Sequence, residues 1–357
     1  MGIEGGDLEY LGISVPLSRD EVYRVVYGSR LASRVLRPLG SFPCFNSDEL
    51  YAKAREFNWN ALFKPGQTFK ITATVSDSGI THSQYAALTL KDAIVDSLRD
   101  ENGTRPDVDR ENPDLRIDLF LRRDEATLSL YYSDGVLHRR GYRKQAVEAP
   151  LKENLAAALI RFSGWTGQGK LYDFFCGSGT FLLEGAMIAS RTPAGFFRER
   201  QGFESLPDFS GEAWAAVKSD MDSKIMPLPP DLIFGFDIDS KAVSATMTNL
   251  IGTPFAQSIH VARADFTELQ DCFPDSVILS NPPYGVRLIE DEQGPLHKLY
   301  ETFGRFLKTR CPGSRACIIT PEGGFDKDIW FKPVKRLFFD NGGLEVCANL
   351  YSVRKNG

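Results

Sequence analysis

The chain has 357 residues, more than one average domain, and 42% of them are hydrophobic, so two or three domains with sizeable cores are expected. It contains no run of roughly 18 apolar residues, so the sequence predicts no membrane-spanning helix. The net charge of −5 gives no general attraction to nucleic acid, and composition alone favours an enzyme that acts on a small substrate.

The N-terminus and the cysteines bear on the cell compartment. The first residues carry neither the cationic start nor the apolar segment of a secretory signal. The six cysteines include no Cys-x-x-Cys pair, which argues against a zinc site and against a disulfide framework. The four histidines also lack the spacing of metal ligands. The sequence therefore predicts a cytoplasmic protein without a metal, and it gives no oligomeric state.

The first 150 residues mix strand-like and helix-like patterns. Alternation predicts a strand over 69–75, and apolar spacing predicts a helix over 83–98. Two further strands are expected over 115–121 and 126–132, joined by the polar tetrad 122–125. This part is therefore expected to be an α+β region.

From residue 151 onward, strands and helices alternate. A helix over 151–162, a strand over 170–175 and a helix over 180–190 open the series, and 191–231 is expected to be an insertion. The later strands are expected at 232–236, 258–261, 276–279, 315–319, 333–339 and 344–350. Strands separated by helices predict a parallel, doubly wound sheet with ligands at the carboxyl ends of its strands.

A glycine-rich turn follows the first of these strands. Its sequence is Asp173-Phe174-Phe175-Cys176-Gly177-Ser178-Gly179-Thr180, and glycines at this place let the backbone approach a nucleotide-like ligand closely. It matches neither the dinucleotide fingerprint nor a phosphate-binding loop. A tight turn without a ligand remains the alternative.

Two acidic residues follow later strands. Asp237 ends an apolar strand one unit after the glycine turn, where a carboxylate suits hydrogen bonds to ribose hydroxyls, while Asp239 is expected to cap the next helix. Asp265 could accept from an adenine amino group while Phe266 covers the ring. Taken alone, Asp265 is equally well interpreted as a cap or a solvated side chain.

The most specific motif is Ser280-Asn281-Pro282-Pro283-Tyr284-Gly285 at the end of an apolar strand. Consecutive prolines stop the strand and leave carbonyl groups free. An amine on a base needs acceptors because its lone pair is delocalised, and the Asn281 side-chain oxygen and the Pro282 carbonyl can each accept one N–H. Tyr284 can stack on an extruded base. A rigid turn without function does not explain this order of residues.

Together these motifs resemble a class I S-adenosylmethionine-dependent methyltransferase with the Asn-Pro-Pro-Tyr signature of amino-methyltransferases. The resemblance implies that the target amine faces Asn281, Pro282, Pro283 and Tyr284. It implies cofactor contacts by Asp173, Cys176, Gly177, Ser178, Gly179, Thr180, Asp237, Asp265 and Phe266. Ala149-Pro150 matches the place of a further motif that closes on the methionine end of the cofactor.

The whole chain resembles the THUMP-containing bacterial methyltransferases that modify guanine N2 in 23S ribosomal RNA, in particular the N-terminal half of their bifunctional members. The matching segments are 29–36, 83–85, 91–96, 106–109, 138–143 and 152–158. The resemblance implies a partial ferredoxin-like subdomain over 1–45, a THUMP RNA-binding domain over 46–148 and a class I methyltransferase domain over 149–357. The implied fold is a Rossmann-like sheet of seven mostly parallel strands, preceded by the α+β region.

The resemblance also supplies an RNA substrate, for which the best local basic patch lies just before the catalytic domain. It consists of Arg139, Arg140, Arg143 and Lys144 with Tyr142 among them, and such residues can contact phosphates. A solvated, salt-bridged connector is the equally weighted alternative.

The chain departs from the family pattern at two places. Phe174 stands where the family usually has proline, which puts the turn geometry and the cofactor affinity in question. The sequence also begins partway through the usual ferredoxin-like subdomain, which concerns RNA affinity more than chemistry.

Two other functions remain open at this point. A DNA adenine-N6 methyltransferase can use the same Asn-Pro-Pro-Tyr motif, but no separate target-recognition domain is evident. An RNA-binding ribosome-assembly factor with an inactive catalytic half is supported only by Phe174. The sequence does not identify the methylated nucleotide, nor whether the substrate is naked RNA or a ribosomal precursor.

Overall fold

The computed structural model describes residues 5–103, 105–147, 150–283, 294–321 and 328–355. Its helices are α1 Arg19–Gly28, α2 Ser47–Ala54, α3 Ser83–Asn102, α4 Glu153–Ser163, α5 Thr180–Ala189, α6 Gly211–Asp222, α7 Ser240–Leu250 and α8 Pro295–Arg310. Its strands are β1 Asp7–Glu9, β2 Gly12–Ser14, β3 Leu36–Pro43, β4 Phe69–Ser76, β5 Leu115–Arg122, β6 Glu125–Tyr131, β7 Leu171–Asp173, β8 Ile233–Asp237, β9 Ile259–Arg263, β10 Val277–Ser280, β11 Arg315–Pro321, β12 Lys335–Asp340 and β13 Glu345–Ser352.

The chain forms two compact units. The N-terminal unit contains the residues up to Leu137 together with 198–221, and the C-terminal unit contains 138–197 and the residues from Asp222 onward. The stretch 191–231 was expected as an insertion after the first helix of the catalytic part. Its residues 198–221 belong to the N-terminal unit instead.

The N-terminal unit is built on a four-stranded sheet of order β3-β6-β5-β4. Strands β4 and β5 run parallel, and the other neighbours are antiparallel. The polar tetrad between β5 and β6 forms the tight turn of a hairpin, where Arg123 and Asp124 have φ angles of 51° and 57°. The Asp124 carboxylate fixes this turn against the β4–α3 connection by accepting from the Gly79 amide at 2.7 Å.

The core of the N-terminal unit includes side chains from 198–221. Phe203 and Val217 are buried in the same apolar cluster as Tyr23 of α1. The Tyr23 and Phe203 ring centroids lie 4.2 Å apart, and the Trp214 ring meets Tyr27 edge-on at 5.1 Å. Burial of large apolar side chains is the main favourable term in folding, so this segment is part of the unit's core.

The C-terminal unit contains the seven-stranded sheet, in the order β12-β13-β11-β10-β7-β8-β9. Strands β11, β10, β7, β8 and β9 are parallel, while β13 and β12 form an antiparallel edge. The expected fold class is thereby confirmed. The strand order reverses between β7 and β10, and in open sheets of this kind ligands bind in the crevice outside the carboxyl ends at that point.

Among the described helices, none has both the length and the apolar character that crossing a bilayer requires.

Candidate active site

A cavity of about 1270 Å³ opens at the carboxyl ends of β7, β8 and β10 in the C-terminal unit. This volume exceeds that of typical small-molecule sites, so it can hold a nucleoside-sized ligand and a second ring. Residues from all four predicted motifs line it: Asp173, Cys176, Gly177, Ser178, Thr180, Asp237, Asp265, Phe266, Asn281, Pro282 and Pro283. Pro150 also lines it, whereas Ala149 and Tyr284 lie outside the described residues.

The glycine-rich turn connects β7 to α5 in a conformation that requires glycine. Gly177 and Gly179 have φ angles of 54° and 82°, a region that other residues rarely adopt. A Cβ atom at Gly179 would also lie only 2.8 Å from Thr246 Cγ2 of α7. Gly179 is absent from the described cavity wall, so its contribution is to the shape of the turn.

Asp173 lies at the end of β7 with 1% of its surface exposed. Its Oδ1 accepts a hydrogen bond from the Phe175 amide at 3.0 Å. Burial raises the pKa of this carboxyl group well above its ordinary value, the Phe175 hydrogen bond opposes that shift, and the neighbouring Asp237 carboxylate adds to it. A buried carboxylate beside a cavity favours a cationic ligand, because the cation offsets the cost of ionising it.

Asp237 connects the ends of β7 and β8. Its Oδ2 accepts from the Gly177 amide and its Oδ1 accepts from the Asp239 amide, both at 2.9 Å. A carboxylate has about four acceptor positions, so Asp237 keeps capacity for a ligand hydroxyl while it holds the turn. Asp239 accepts from the Lys241 amide and caps α7, as the sequence predicted. The ribose contact of Asp237 stays a prediction.

Asp265 caps a short 3-10 helix over Phe266–Glu268. Its Oδ1 accepts from the Thr267 amide at 2.9 Å and from the Thr267 hydroxyl at 2.7 Å. Phe266 is 5% exposed and packs on Phe303 and Phe306 of α8. The capping interpretation is therefore observed for Asp265, and the adenine contact remains a prediction for its second oxygen and the accessible edge of Phe266.

Asn281 follows β10 at the cavity wall and carries an unmatched acceptor. Its Oδ1 atom is buried and has no hydrogen-bond partner among the described residues. Leaving a buried polar atom unpaired costs about 1–3 kcal/mol, so this acceptor is available to a ligand group or a water molecule in the cavity. Pro282 is buried and Pro283 is exposed beside it.

The predicted basic patch needs correction at Arg140 and Tyr142. Arg140 is 1% exposed and forms an ion pair with Glu184 of α5 at 3.1 Å, with both side chains fully buried. Tyr142 is 2% exposed and donates to the same carboxylate at 3.3 Å. Both groups are therefore inaccessible to a phosphate in this conformation, which favours the alternative of a salt-bridged connector at these two residues.

The rest of the patch differs in exposure. Arg139 and Lys144 are exposed, although the Lys144 ammonium group donates to the Ile251 carbonyl at 3.1 Å, and their contact with RNA stays a prediction. Arg143 is turned inward and donates to Glu153, Ser178 and Thr180, so its guanidinium is occupied by the protein itself.

Residues of α7 that no sequence motif indicated hold the glycine turn. Thr246 donates to the Gly177 carbonyl at 2.7 Å, and the Asn249 amide group donates to the Ser178 carbonyl at 3.0 Å. Both are fully buried on a helix face that also contains Ala242 and Ala245. Polar residues on the apolar face of an amphipathic helix were the available signal.

The cavity wall also includes residues that no sequence motif indicated. Lys298, Leu299 and Thr302 face it from α8, and Asn341 and Leu344 contribute from the β12–β13 connection. Lys298 is the one cationic side chain among the described lining residues.

Phe174 does not disturb the turn. It is 2% exposed and stacks on Phe236 at a centroid distance of 5.6 Å, with Phe306 edge-on at 4.9 Å. Its ring extends the aromatic core between the sheet and α8, while the hydrogen bonds of Asp173 and Gly177 remain intact.

Curated relatives extend over nearly the whole chain. The ribosomal RNA large subunit methyltransferase K/L of Vibrio parahaemolyticus is 34% identical over 99% of this chain and 50% of its own length. The protein of the same name from Syntrophotalea carbinolica is 36% identical over 94% of this chain and 48% of its own length. This chain thus spans about half the length of these relatives.

Solved structures agree with the fold over both units. SMU.472, crystallised with S-adenosylhomocysteine (SAH), is 26% identical with a TM-score of 0.83, covering 95% of this chain and 89% of that one. A Listeria monocytogenes protein described as a predicted N6-adenine-specific DNA methylase is 25% identical with a TM-score of 0.78. The match covers 94% of this chain and 86% of that one.

Two family profiles match the chain. A THUMP domain matches residues 44–131, and the RMKL-like methyltransferase domain, also described as UPF0020, matches residues 140–326. The second match covers more than half of the chain and contains every described residue of the cavity's four motifs. The chain therefore belongs to the family of THUMP-containing, RMKL-like methyltransferases.

Proposed function

We propose that this protein transfers a methyl group from S-adenosylmethionine to the exocyclic N2 amine of a guanine in RNA, most specifically 23S ribosomal RNA. The observation that carries the proposal is the buried, unpartnered Oδ1 atom of Asn281 in a cavity that also contains a glycine-rich turn. An acceptor at this place suits a planar amine.

The cavity fits the cofactor by its own chemistry. Gly177 and Gly179 hold a left-handed turn that brings backbone close to a ligand, and Asp173 provides a buried carboxyl group. S-adenosylmethionine carries a sulfonium and an ammonium group, and it supplies an electrophilic methyl group when bound. The family membership and the SAH complex of SMU.472 support this cofactor.

The protein's part in the reaction is to position and polarise the amine. In the proposed complex the Asn281 oxygen would accept one amine N–H and the Pro282 carbonyl would accept the other. Two acceptors draw the hydrogens out of the ring plane and leave the nitrogen lone pair available to form the N–CH3 bond as the S–CH3 bond breaks. The methylated nitrogen would then lose one N–H proton to solvent. Such preorganised acceptors lower the barrier without any strong base. Tyr284 would stack on the base, but it lies outside the described residues.

The relatives' names support ribosomal RNA as the substrate class. The K/L proteins are named for methylation of large-subunit ribosomal RNA, and the THUMP match provides a domain for RNA binding. Guanine N2 as the acceptor follows only from the family resemblance. A cytoplasmic location also stays a prediction.

A DNA adenine-N6 methyltransferase is the second candidate. The name of the Listeria monocytogenes neighbour favours it, and an Asn-Pro-Pro motif serves either amine. Against it, residues 44–131 match a THUMP domain rather than a separate DNA-recognition module. An inactive assembly factor was suggested only by Phe174, and the hydrogen bonds of Asp173 and Gly177 in the adjacent turn give that alternative no further support.

The test of the site is the variant Asn281→Ala. Because it removes the acceptor without touching the glycine turn, methyl transfer should fall roughly 100-fold while the affinity for SAH stays within about threefold of the original protein. Asn281→Asp keeps an acceptor oxygen and should retain more activity than Asn281→Ala. Undiminished methyl transfer by Asn281→Ala would mean that the amine binds elsewhere.

A further inference from the structure

The Arg143 guanidinium donates hydrogen bonds to four acceptors next to the glycine turn. Its Nε donates to Glu153 Oε1 at 2.9 Å, its Nη1 to Ser178 Oγ at 2.8 Å and its Nη2 to Thr180 Oγ1 at 2.9 Å. Nη2 also lies 3.3 Å from the Leu151 carbonyl. With its side chain 18% exposed, this guanidinium is committed to the protein and is not available to a phosphate.

The two hydroxyl groups that Arg143 holds lie on either side of Gly179. Ser178 and Thr180 both line the cavity, whereas neither Arg143 nor Glu153 is among the described lining residues. Arg143 therefore acts on the cavity through the turn rather than by direct contact. Its planar fork of donors fixes two points of a glycine-containing backbone that would otherwise have many conformations.

Asn249 of α7 fixes the residues next to Arg143 to the same turn. Asn249 Oδ1 accepts from the Lys144 amide at 2.7 Å and the Gln145 amide at 2.9 Å. The amide group of Asn249 donates to the Gln145 carbonyl at 2.7 Å and the Ser178 carbonyl at 3.0 Å. Segment 143–145 and the glycine turn are thus joined into one hydrogen-bonded body.

We propose that Arg143 is a positioning residue for the cofactor, which sets cofactor affinity by holding Ser178 and Thr180, and that it does not bind RNA. The proposal rests on the proposed binding of the cofactor at this turn. Glu153 supports the role by fixing the guanidinium. Neither residue touches the reacting atoms, so their effect is on binding rather than on the chemical step.

The experiment measures SAH binding by calorimetry, without RNA, for the full chain and six variants. Arg143→Met should weaken SAH binding about tenfold, the equivalent of losing one charge-assisted hydrogen bond. Arg143→Lys keeps the charge but cannot reach both hydroxyls, so it should not restore affinity. Arg161→Met, at an exposed position near the end of α4, is the matched control and should stay within twofold.

A double-mutant cycle separates positioning from general destabilisation. Ser178→Ala/Thr180→Val removes the two acceptors and should weaken SAH binding by a similar factor. Adding Arg143→Met to it should then cost little more, because the same interactions are already absent. Additive losses, or an unchanged affinity for Arg143→Met, would overturn the proposal.

Glu153→Gln tests the positioning role of Arg143 if the Arg143→Met variant does not fold. It leaves Arg143 in place but loosens its anchor, so a loss of about threefold in SAH affinity is expected, with RNA affinity unchanged. Unchanged SAH affinity in that variant counts against the proposal. Failure of the original protein to bind SAH would instead contradict the proposed function itself, which keeps the two failures distinct.

Discussion

At the scale of single residues, Asp173 gives the site a pH-dependent property. Burial raises the pKa of its carboxyl group well above its ordinary value, so the cofactor-free protein keeps the proton at pH values where an exposed aspartate has lost it. The folded state then binds more protons than the unfolded state. The stability of the cofactor-free protein should therefore fall as the pH rises from the ordinary pKa of aspartate toward the raised one.

The binding of a cationic cofactor should reverse this preference. Because a nearby cation favours the ionised carboxylate, S-adenosylmethionine binding should release a proton from Asp173, and the affinity should rise with pH across the same window. Calorimetry in two buffers of different ionisation enthalpy measures the released proton. Asp173→Asn keeps an acceptor for the Phe175 amide and should abolish both effects; proton release that persists in this variant would assign it to another group.

The residues of the site differ in how well the amino-acid sequence predicts their surroundings. The position of Asn281 at the cavity wall was predictable because the signal is local, an amide before two prolines at a strand end. Arg140 and Tyr142 were misjudged because their partner, Glu184, lies more than forty residues away on α5. Asn249 was missed for the same reason, since its partners Lys144 and Gln145 lie more than a hundred residues away. A cluster of basic residues in the sequence does not show which of its arginines are exposed and which are buried.

At the scale of elements, the ion pair between Arg140 and Glu184 fastens segment 138–147 to α5. Arg140→Met leaves the Glu184 carboxylate buried without its cation and should cost about 3–5 kcal/mol in free energy of unfolding. Arg140→Met/Glu184→Gln removes the charge and keeps an acceptor for the Tyr142 hydroxyl. The double variant should therefore be more stable than Arg140→Met.

Chemical unfolding of the three proteins checks this prediction, with RNA affinity measured alongside. A wild-type stability for Arg140→Met, together with a loss of RNA affinity, would restore the earlier interpretation of Arg140 as a phosphate contact.

Helices and strands were predicted well where the pattern is local. The expected strand over 69–75 is observed as Phe69–Ser76, and the hairpin tetrad forms a turn with two left-handed residues. The strand expected over 170–175 ends at Asp173, because the turn already begins at Phe174. The order of the seven strands was not predictable from periodicity, since it depends on which strands pair across long crossovers.

At the scale of the whole molecule, the chain enters the C-terminal unit and then returns to the N-terminal unit at 198–221. Phe203, Leu206 and Val217 belong to the core of the N-terminal unit although they follow α5 in sequence. A Cβ atom at Gly202 would lie 2.3 Å from the Ser133 backbone, so the segment packs on this unit without a gap. The predicted division at 1–45, 46–148 and 149–357 took no account of this return.

A chain of residues 1–137 alone should therefore be unstable. It lacks several buried apolar side chains, each worth about 1.5–3 kcal/mol. The matched control joins 1–137 to 198–221 by a short glycine-serine linker, which is feasible because the Arg198 side chain donates to the Leu137 carbonyl at 2.8 Å. Thermal unfolding should be cooperative for the joined chain only. Equal, cooperative melting of both chains would show that the segment is dispensable for this unit.

The most direct test of the central claim is methyl transfer from labelled S-adenosylmethionine to 23S ribosomal RNA, followed by nucleoside analysis, with DNA as a parallel substrate. Label is expected in N2-methylguanosine from the RNA and none in DNA. Label in N6-methyladenine from DNA, or no label in either nucleic acid, would contradict it.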